Sequence, residues 1–406
     1  MNKILFVPHY SESLKALLNI AEHINSKSVK PFFLLSEKIS DIDHCIELLN
    51  KTNFEYIHEN NIITPKKKKR ILLLKLIFQP SYYKKFLHEQ KIITVVCAND
   101  GDIYLMKAAK ALQIKTIGFQ WAHTVPRKYI DLLQEKRKLC NSKRPKYISK
   151  FKIKILSLFG YKISEFFTDG MMDFYCLMGP YYKQLFQDQG TPPKKLIVTG
   201  HPEHDRIYAF NKFHTEEKEK ETKQRFLLNP DKKVIVLGRE AIRYFDIIPE
   251  NEDKANIREI LNILKEYKSN YEIVVKAHPR DDVNYYDFLF NEFPFVKIFY
   301  SKIDYYLLLS ISDLYISQIS STMYWAIGMN IPTISYDFNN VEYFGFIKER
   351  TGLLQVSSPE EMKQCVYALL NETNSCLTSK IEEAKMLYMI LDGNCIKRIL
   401  NVIGVH

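Results

Sequence analysis

A cluster of cationic side chains follows the apolar run 273–275, in the sequence Lys276-Ala277-His278-Pro279-Arg280. The β-branched residues of that run predict a buried parallel strand. Pro279 cannot continue strand pairing and keeps His278 extended, so the strand must end there. In an open α/β sheet, ligands bind just beyond the carboxyl ends of the strands. The cluster therefore indicates a site for an anionic ligand, and a polar surface turn is the alternative interpretation.

Three consecutive hydroxyl residues, Ser320, Ser321 and Thr322, lie between a predicted strand and a predicted helix. The N-terminus of a helix binds phosphate through its free backbone N–H groups and its dipole. An N-cap explains one such residue, but it does not explain three beside a strand end. Arg239 follows the predicted strand 234–237 and adds a further cation.

The run Asn99-Asp100-Gly101-Asp102 follows the predicted strand 92–97 in the N-terminal half. A carboxylate in this position can act as the general base for an acceptor hydroxyl, and Asp100 is our first candidate. A turn followed by an N-cap is the alternative interpretation of the run. His9 and His123 also follow predicted strands and are the other candidate bases, although a core histidine also explains His123.

The sequence predicts neither a metal site nor a cofactor. His201, His204 and Asp205 lie close together, but the remaining ligands of a metal site are missing. The seven cysteines are scattered and form no CxxC motif, which is typical of reduced thiols in a cytosolic protein.

The composition is that of a globular protein with a large core. The chain has 406 residues, of which 46% are hydrophobic and 26% charged, so two to three domains are expected. The most apolar window, 71–78, is far shorter than the ~20 residues that span a membrane. The N-terminal apolar stretch is too short for a signal peptide, so we expect a cytoplasmic protein.

The net charge of +11 is concentrated in two segments. Eleven lysines and arginines but only two acids occur in 127–154, and a second basic run, 66–70, directly precedes the apolar window 71–78. The segments 66–78 and 127–154 favour contact with an anionic partner, namely the inner face of the cytoplasmic membrane or the acceptor; a solvated helical face is the alternative for 127–154. Nucleic acid is not expected, because interleaved aromatic residues and known DNA-binding motifs are missing.

The order of predicted elements indicates two consecutive doubly wound halves. The first 57 residues read as βαβαβ without a Gly-x-Gly-x-x-Gly fingerprint. We predict an N-terminal Rossmann-like domain at 1–210 with a basic helical insertion at about 127–168. A second Rossmann-like domain follows at 211–380, and a helix at 381–406 can pack back on the first.

Several of these segments resemble motifs of the bacterial surface-polysaccharide glycosyltransferases of the GT-B fold. That superfamily includes capsular Kdo transferases, bacterial sialyltransferases and CDP-glycerol glycerophosphotransferases. Residues 276–279 resemble its K-x-H-P motif, 320–332 its paired-serine segment, and 178–205 its GPYY…VTGxPxxD passage. The run 99–101 is similar to its acidic base motif with Asn99 in the first acidic place, and 118–123 is similar to its QHG element with two residues inserted.

The resemblance implies an α/β GT-B enzyme whose two doubly wound domains face a central cleft. The C-terminal domain would bind a nucleotide-sugar donor, with His278 at its phosphate and Ser320 and Ser321 at the phosphate or nucleotide. The N-terminal domain would bind a glycan or lipid-linked glycan acceptor of capsule, lipooligosaccharide or O-antigen. Such enzymes typically invert configuration and need no metal.

The resemblance leaves the donor open. A CMP-linked acidic sugar is favoured, and a CDP-glycerol or polyol-phosphate transferase and a UDP-sugar 2-epimerase are the alternatives on the same fold. Without a metal, cations and N–H dipoles must stabilise the departing phosphate. We expect the cations to be Lys276, His278, Arg280 and Arg239, and we expect Pro279 to lie with them in the donor-binding segment.

Overall fold

The computed structural model describes thirteen stretches of the chain. They are residues 1–39, 41–63, 72–124, 126, 129, 167–168, 170–239, 248–278, 281–300, 303–318, 320–340, 351–371 and 375–405. Pro279, Arg280 and nearly all of the predicted basic insertion lie outside the described residues, as does the basic run 66–70.

Thirteen described strands form two sheets, and every pair of neighbouring strands is parallel. The first sheet has the order β3-β2-β1-β4-β5-β6-β7, and the second has the order β10-β9-β8-β11-β12-β13. The strands are β1 Asn2–Val7, β2 Val29–Leu35, β3 Glu55–His58, β4 Ile92–Cys97, β5 Lys115–Phe119, β6 Phe174–Leu177, β7 Leu196–Val198, β8 Lys233–Gly238, β9 Tyr271–Lys276, β10 Val296–Phe299, β11 Leu314–Ser317, β12 Thr333–Tyr336 and β13 Leu354–Val356.

Helices connect most successive strands, as parallel pairing requires. The described α-helices are α1 Ser11–Glu22, α2 Ile42–Asn50, α3 Glu59–Ile62, α4 Leu72–Glu89, α5 Ile103–Ala111, α6 Pro180–Asp188, α7 Pro202–Phe213, α8 Glu216–Arg225, α9 Glu250–Leu264, α10 Asp287–Glu292, α11 Tyr305–Leu309, α12 Thr322–Gly328, α13 Pro359–Asn371, α14 Ser375–Tyr388 and α15 Cys395–Ile403. Within the described parts of the chain, no helix is both long enough and apolar enough to cross a membrane.

The chain divides into two compact units. The first comprises the described residues within Met1–Thr124, Lys146–Asp205 and Tyr388–His406, and the second comprises those within Val125–Pro145 and Arg206–Leu387. Each unit contains one of the two sheets. The predicted pattern of two doubly wound halves is therefore confirmed by the strand orders, which run outward in both directions from β1 and from β8.

The C-terminal residues belong to the core of the first unit. Ile399 and Ile403 of α15 lie in the same buried cluster as Leu14 and Leu17 of α1. The start of α15 is held by Asp205, whose carboxylate accepts the backbone N–H groups of Cys395 at 2.9 Å and Ile396 at 3.0 Å. A carboxylate at this position satisfies N–H groups that have no partner within the helix.

The second unit is built around β8, β9 and β11, whose central residues are fully buried. Continuous apolar runs such as Val234–Leu237 are typical of parallel strands that are covered on both faces. The helix α9 contributes Ile257, Ile260, Leu261 and Leu264 to the same core. Its apolar residues recur every three or four positions, which is the spacing of a helix that packs on one side.

Four elements were absent from the sequence prediction, namely α4, α7, β13 and the four-residue helix α3. The helix α4 contains Pro80 and begins in a stretch that is apolar on all sides, so helical periodicity is weak there. The helix α7 starts at Pro202 in a polar run; proline fits the first helical position because no N–H is needed there. The strand β13 has only three residues and lies at the sheet edge, below the length at which alternation is visible.

Candidate active site

The carboxyl edge of the second sheet brings together the polar residues that follow three central strands. In the pairing of β8 with β9, Gly238 is opposite Lys276, and β11 is the neighbour of β8 on the other side. The residues after these strands, including Arg239, His278 and the run 320–322, therefore lie along one edge of one sheet. This is the edge at which doubly wound sheets bind ligands.

His278 lies in the turn after β9 and is half-buried. Its backbone N–H donates a hydrogen bond to Oδ2 of Asp281 at 3.0 Å. The same carboxylate oxygen accepts the hydroxyl of Tyr286, a fully buried side chain. The turn that carries His278 is thus anchored through Asp281 to the buried Tyr286.

Two of the four predicted cations, Lys276 and Arg239, are buried. Lys276 is 4% exposed, and its Nζ donates to the carbonyl of Ala277 at 2.6 Å. Arg239 is 6% exposed and pairs with Asp253, with 2.5 Å between Nη2 and Oδ1. Buried charges need such partners, because they have lost their hydration. Their assignment as donor contacts stays a prediction.

The buried ion pair extends into a network under the site. Arg239 also donates to the hydroxyl of Tyr336, and the other carboxylate oxygen of Asp253 accepts the hydroxyl of Tyr285 at 2.6 Å. Burial raises the pKa of Tyr286 above its usual range, with the nearby Arg239 opposing that shift. The network joins β8, α9 and β12 directly below the turn of His278.

The hydroxyl residues Ser320, Ser321 and Thr322 lie at the start of α12 and are half-buried. The Oγ atoms of Ser320 and Thr322 are 2.7 Å apart, and the backbone N–H of Thr322 donates to Oγ of Ser320 at 3.3 Å. Ser321 occupies the N-cap position without a hydrogen bond from its side chain to the helix. As the sequence analysis inferred, these three residues therefore do not all serve as N-caps.

In the first unit, Asp100 follows β4 at the carboxyl edge of the first sheet. Its Oδ1 accepts the hydroxyl of Tyr175 at 2.7 Å and the backbone N–H of Gly170 at 3.2 Å. Burial, followed by the charge of Asp100, raises the pKa of Tyr175, so its phenol remains a donor. Gly118 provides the space for the Tyr175 ring, since a Cβ there would lie 2.5 Å from it.

The neighbours of Asp100 in the loop have structural roles. Oδ1 of Asn99 accepts the N–H of Gly101 at 2.9 Å, and Gly101 has a positive φ of 70°, which favours glycine. Asp102 caps α5 by accepting the N–H of Tyr104 at 2.9 Å, and it pairs with Lys38. Of the two aspartates, Asp100 is the one that does not cap the helix.

His9 and His123 lie at the same edge of the first sheet, because β1 and β5 both adjoin β4. Burial lowers the pKa of His9, an effect that the charge of Asp41 opposes. The His9 ring packs against Tyr10 with centroids 4.2 Å apart. Nδ1 of His123 forms a hydrogen bond with the hydroxyl of the buried Tyr182. The structure thus places all three candidate bases at one sheet edge.

His201 and His204 are buried and hydrogen bonded to the backbone. Nδ1 of His201 accepts the N–H of Glu203 at 3.1 Å, and Nδ1 of His204 accepts the N–H groups of His201 and Ile390, both at 3.3 Å. Burial lowers the pKa of His201 to about 3. Both rings are thus neutral parts of the core.

One grouping of possible metal ligands occurs among the described residues, formed by Asp205, Asp392 and Cys395 with ligand atoms within 4.8 Å of one another. Asp205 caps α15, and Asp392 forms a two-pronged ion pair with Arg398 at 2.7 and 2.8 Å. These contacts give the grouping a structural role. The sequence analysis missed it because Asp392 and Cys395 lie almost 190 positions from Asp205.

The two doubly wound parallel sheets, each with polar residues along its carboxyl edge, define the fold class of the GT-B transferases. Solved structures of similar fold support this fold class. UDP-GlcNAc 2-epimerase from Neisseria meningitidis bound to UDP-GlcNAc has a TM-score of 0.62 at 15% identity, covering 98% of this chain and 99% of that one. The epimerase of Methanocaldococcus jannaschii in complex with UDP-GlcNAc and UDP has a TM-score of 0.61 at 16% identity, covering 99% of each chain. The wall teichoic acid polymerase TagF has a TM-score of 0.60 at 14% identity, covering 99% of this chain and 88% of that one.

Residues 167–395 match the family of CDP-glycerol:poly(glycerophosphate) glycerophosphotransferases. The match spans more than half of the chain, and the protein belongs to this family. It is a transferase for nucleotide-activated sugars or polyol phosphates on a GT-B fold, as the resemblance implied. No curated protein matches the sequence significantly.

Proposed function

We propose that the protein transfers a polyol phosphate from a CDP-activated donor to a hydroxyl group of a growing surface polymer. The observation that carries the proposal is the family match over 167–395, which includes His278 and the run 320–322. The likeness to TagF, which has also been solved after a soak with CDPG, is consistent with it. On this support we favour the CDP-polyol alternative over the CMP-linked acidic sugar that the motifs first favoured.

The chemistry that we propose is a displacement at phosphorus. The acceptor oxygen forms a bond to the phosphorus that carries the polyol, the bond from that phosphorus to the oxygen of CMP breaks, and CMP leaves as an anion. Asp100 takes the proton of the attacking hydroxyl as general base. His278, the hydroxyl of Ser320 and the N–H groups at the start of α12 stabilise the charge that develops on the departing phosphate. This scheme requires no metal, in line with what the resemblance to the GT-B transferases implies.

A donor panel tests the proposal. The purified chain is incubated with a short glycerophosphate primer and, separately, CDP-glycerol, a CMP-linked acidic sugar or UDP-GlcNAc. We expect CMP release and label transfer to the primer with CDP-glycerol, and neither when the primer is omitted. A glycosidic product formed only from the CMP-linked sugar would support the second donor class, and acceptor-free turnover of UDP-GlcNAc would support an epimerase instead.

The membrane contact through 66–78 and 127–154 is a separate part of the proposal. It rests on the charge of these segments and on the lipid-linked acceptor that we expect. Liposomes with and without anionic lipid would be compared for the wild type and a variant in which Lys136, Arg137 and Lys138 are neutralised. Binding that depends on anionic lipid and weakens in the variant is expected, whereas equal and salt-insensitive association of both proteins would contradict it.

A further inference from the structure

A chain of hydroxyl groups in the second unit joins the half-buried Tyr305 to Ser320 through the buried Tyr315. The hydroxyls of Tyr305 and Tyr315 are 2.6 Å apart, and the hydroxyl of Tyr315 is 2.6 Å from Oγ1 of Thr322. Oγ1 of Thr322 lies 2.7 Å from Oγ of Ser320. Three short contacts therefore link four hydroxyls in sequence, and Tyr315 is fully buried.

The protons of this chain can be counted. Each hydroxyl has one proton, so three contacts use three of the four protons. The backbone N–H of Thr322 also donates to Oγ of Ser320, at 3.3 Å. When the chain donates in the direction from Tyr305 to Ser320, Oγ of Ser320 accepts two hydrogen bonds and keeps its own proton. In that direction Ser320 can offer a ligand only a donor, which suits a phosphate oxygen.

The residues around this chain of hydroxyl groups leave little room for the hydroxyls of Tyr305 and Tyr315. Gly238 is the last residue of β8. A Cβ at this position would lie 2.2 Å from the hydroxyl of Tyr315 and 2.3 Å from that of Tyr305, so only glycine leaves room for both. Oγ of Ser317 lies 3.3 Å from the hydroxyl of Tyr315, a longer contact than the 2.6 Å to Thr322, and it donates to the carbonyl of Gly238 at 3.3 Å. The ends of β8 and β11 therefore fix the position of the Tyr315 hydroxyl.

We infer that Tyr315 is a positioning residue that, through Thr322, holds the hydroxyl of Ser320 as a hydrogen-bond donor to a phosphate group of the donor nucleotide. The inference rests on the proposed function, because it takes Ser320 to contact the donor. The inference adds that the buried Tyr315 orients the contact between Ser320 and the donor. Tyr315 itself does not touch the substrate in this scheme.

The test compares Tyr315→Phe, Thr322→Val and Thr322→Ser with the wild-type chain. We expect Tyr315→Phe and Thr322→Val to weaken CMP binding and kcat/KM for CDP-glycerol by about five- to tenfold, the size of one net hydrogen bond. Thr322→Ser keeps the hydroxyl and should retain most of the binding. The matched control is Tyr271→Phe, a buried tyrosine at the amino end of β9, which should bind CMP like the wild type.

A double-mutant cycle separates positioning from a general loss of stability. If Tyr315 acts through Ser320, then Tyr315→Phe should have little further effect on CMP binding in a Ser320→Ala background. Full additivity, or wild-type CMP binding by Tyr315→Phe alongside weakened binding by Ser320→Ala, would overturn the inference while leaving the proposed function intact. Failure of the wild type to bind CMP would instead refute the proposed function of the site.

Discussion

The hydroxyl of Tyr175 donates a hydrogen bond to Oδ1 of Asp100 at 2.7 Å. The contact joins β6 to the loop after β4, and the same oxygen accepts the N–H of Gly170. Two donors on one oxygen fix the carboxylate in orientation. A general base needs such a fixed position, because proton transfer depends on the geometry with the attacking hydroxyl.

The first prediction concerns the base. Asp100→Asn should lower kcat by about 10²- to 10⁴-fold, the usual contribution of a general base, with little change in the affinity for CMP. Tyr175→Phe should lower kcat by about tenfold, because the carboxylate loses one of its two orienting donors. Initial rates with CDP-glycerol and primer, together with CMP calorimetry, measure both effects.

The histidines provide the comparison for this prediction. His123→Gln and His9→Gln should each retain most of the activity if Asp100 is the base. A near-wild-type rate for Asp100→Asn combined with a large loss for His123→Gln would move the base to His123.

The second prediction concerns the departing phosphate. His278→Ala should lower kcat at least about 100-fold, since it removes a group that stabilises charge only as the bond breaks. Asp281→Asn should cause a smaller loss, because Oδ2 of Asp281 holds the backbone of the turn at His278. The unfolding curve of His278→Ala should match the wild type, and His44→Ala, at an exposed helical position, should change neither activity nor stability. Wild-type kcat for His278→Ala would exclude this role.

The sequence predicted much of the fold and the strand ends at which the candidate residues lie, but not which of their charges are accessible. Apolar runs ending in polar residues identified most strands, and the ends of β4, β8, β9 and β11 do carry the candidate residues. The burial of Lys276 and Arg239 could not be predicted, because it depends on their partners. The carbonyl of Ala277 accepts a hydrogen bond from Lys276, and the carboxylate of Asp253 pairs with Arg239. Asp253 lies 14 positions after Arg239 on a helix whose packing the sequence does not specify. The hydroxyl chain from Tyr305 to Ser320 was likewise not predicted, because Tyr315 lies in an apolar strand and was interpreted only as part of the core.

The third prediction separates a structural role of Arg239 from a donor contact. Arg239→Met should destabilise the fold by about 3–5 kcal/mol, since Asp253 would be left as an unpaired buried charge. Urea denaturation monitored by circular dichroism measures that change. Arg239→Met combined with Asp253→Leu should recover part of the loss, because both charges are then removed. Unchanged stability with weakened CMP binding in Arg239→Met would show instead that the guanidinium serves the donor.

The last prediction concerns the buried histidines His201 and His204. Burial lowers the pKa of His201 to about 3, and burial together with the charges of His201 and Arg398 lowers that of His204 well below 6.5. The unfolded chain binds these protons near pH 6.5, whereas the folded chain does not bind the proton of His201 until about pH 3. Between these values the unfolded state holds more protons, so the free energy of unfolding must fall as the pH falls.

The slope should approach about 1.4 kcal/mol per pH unit for each histidine. Urea denaturation at intervals between pH 7 and pH 4.5 measures it in the wild type and in His204→Gln, which keeps a neutral side chain at that position. The variant should be less stable than the wild type at pH 7, because the hydrogen bond from the N–H of Ile390 is disturbed, but its stability should depend less steeply on pH. A His204→Gln slope equal to that of the wild type would mean that His204 is already protonated in the folded protein, in conflict with an acceptor role for its Nδ1.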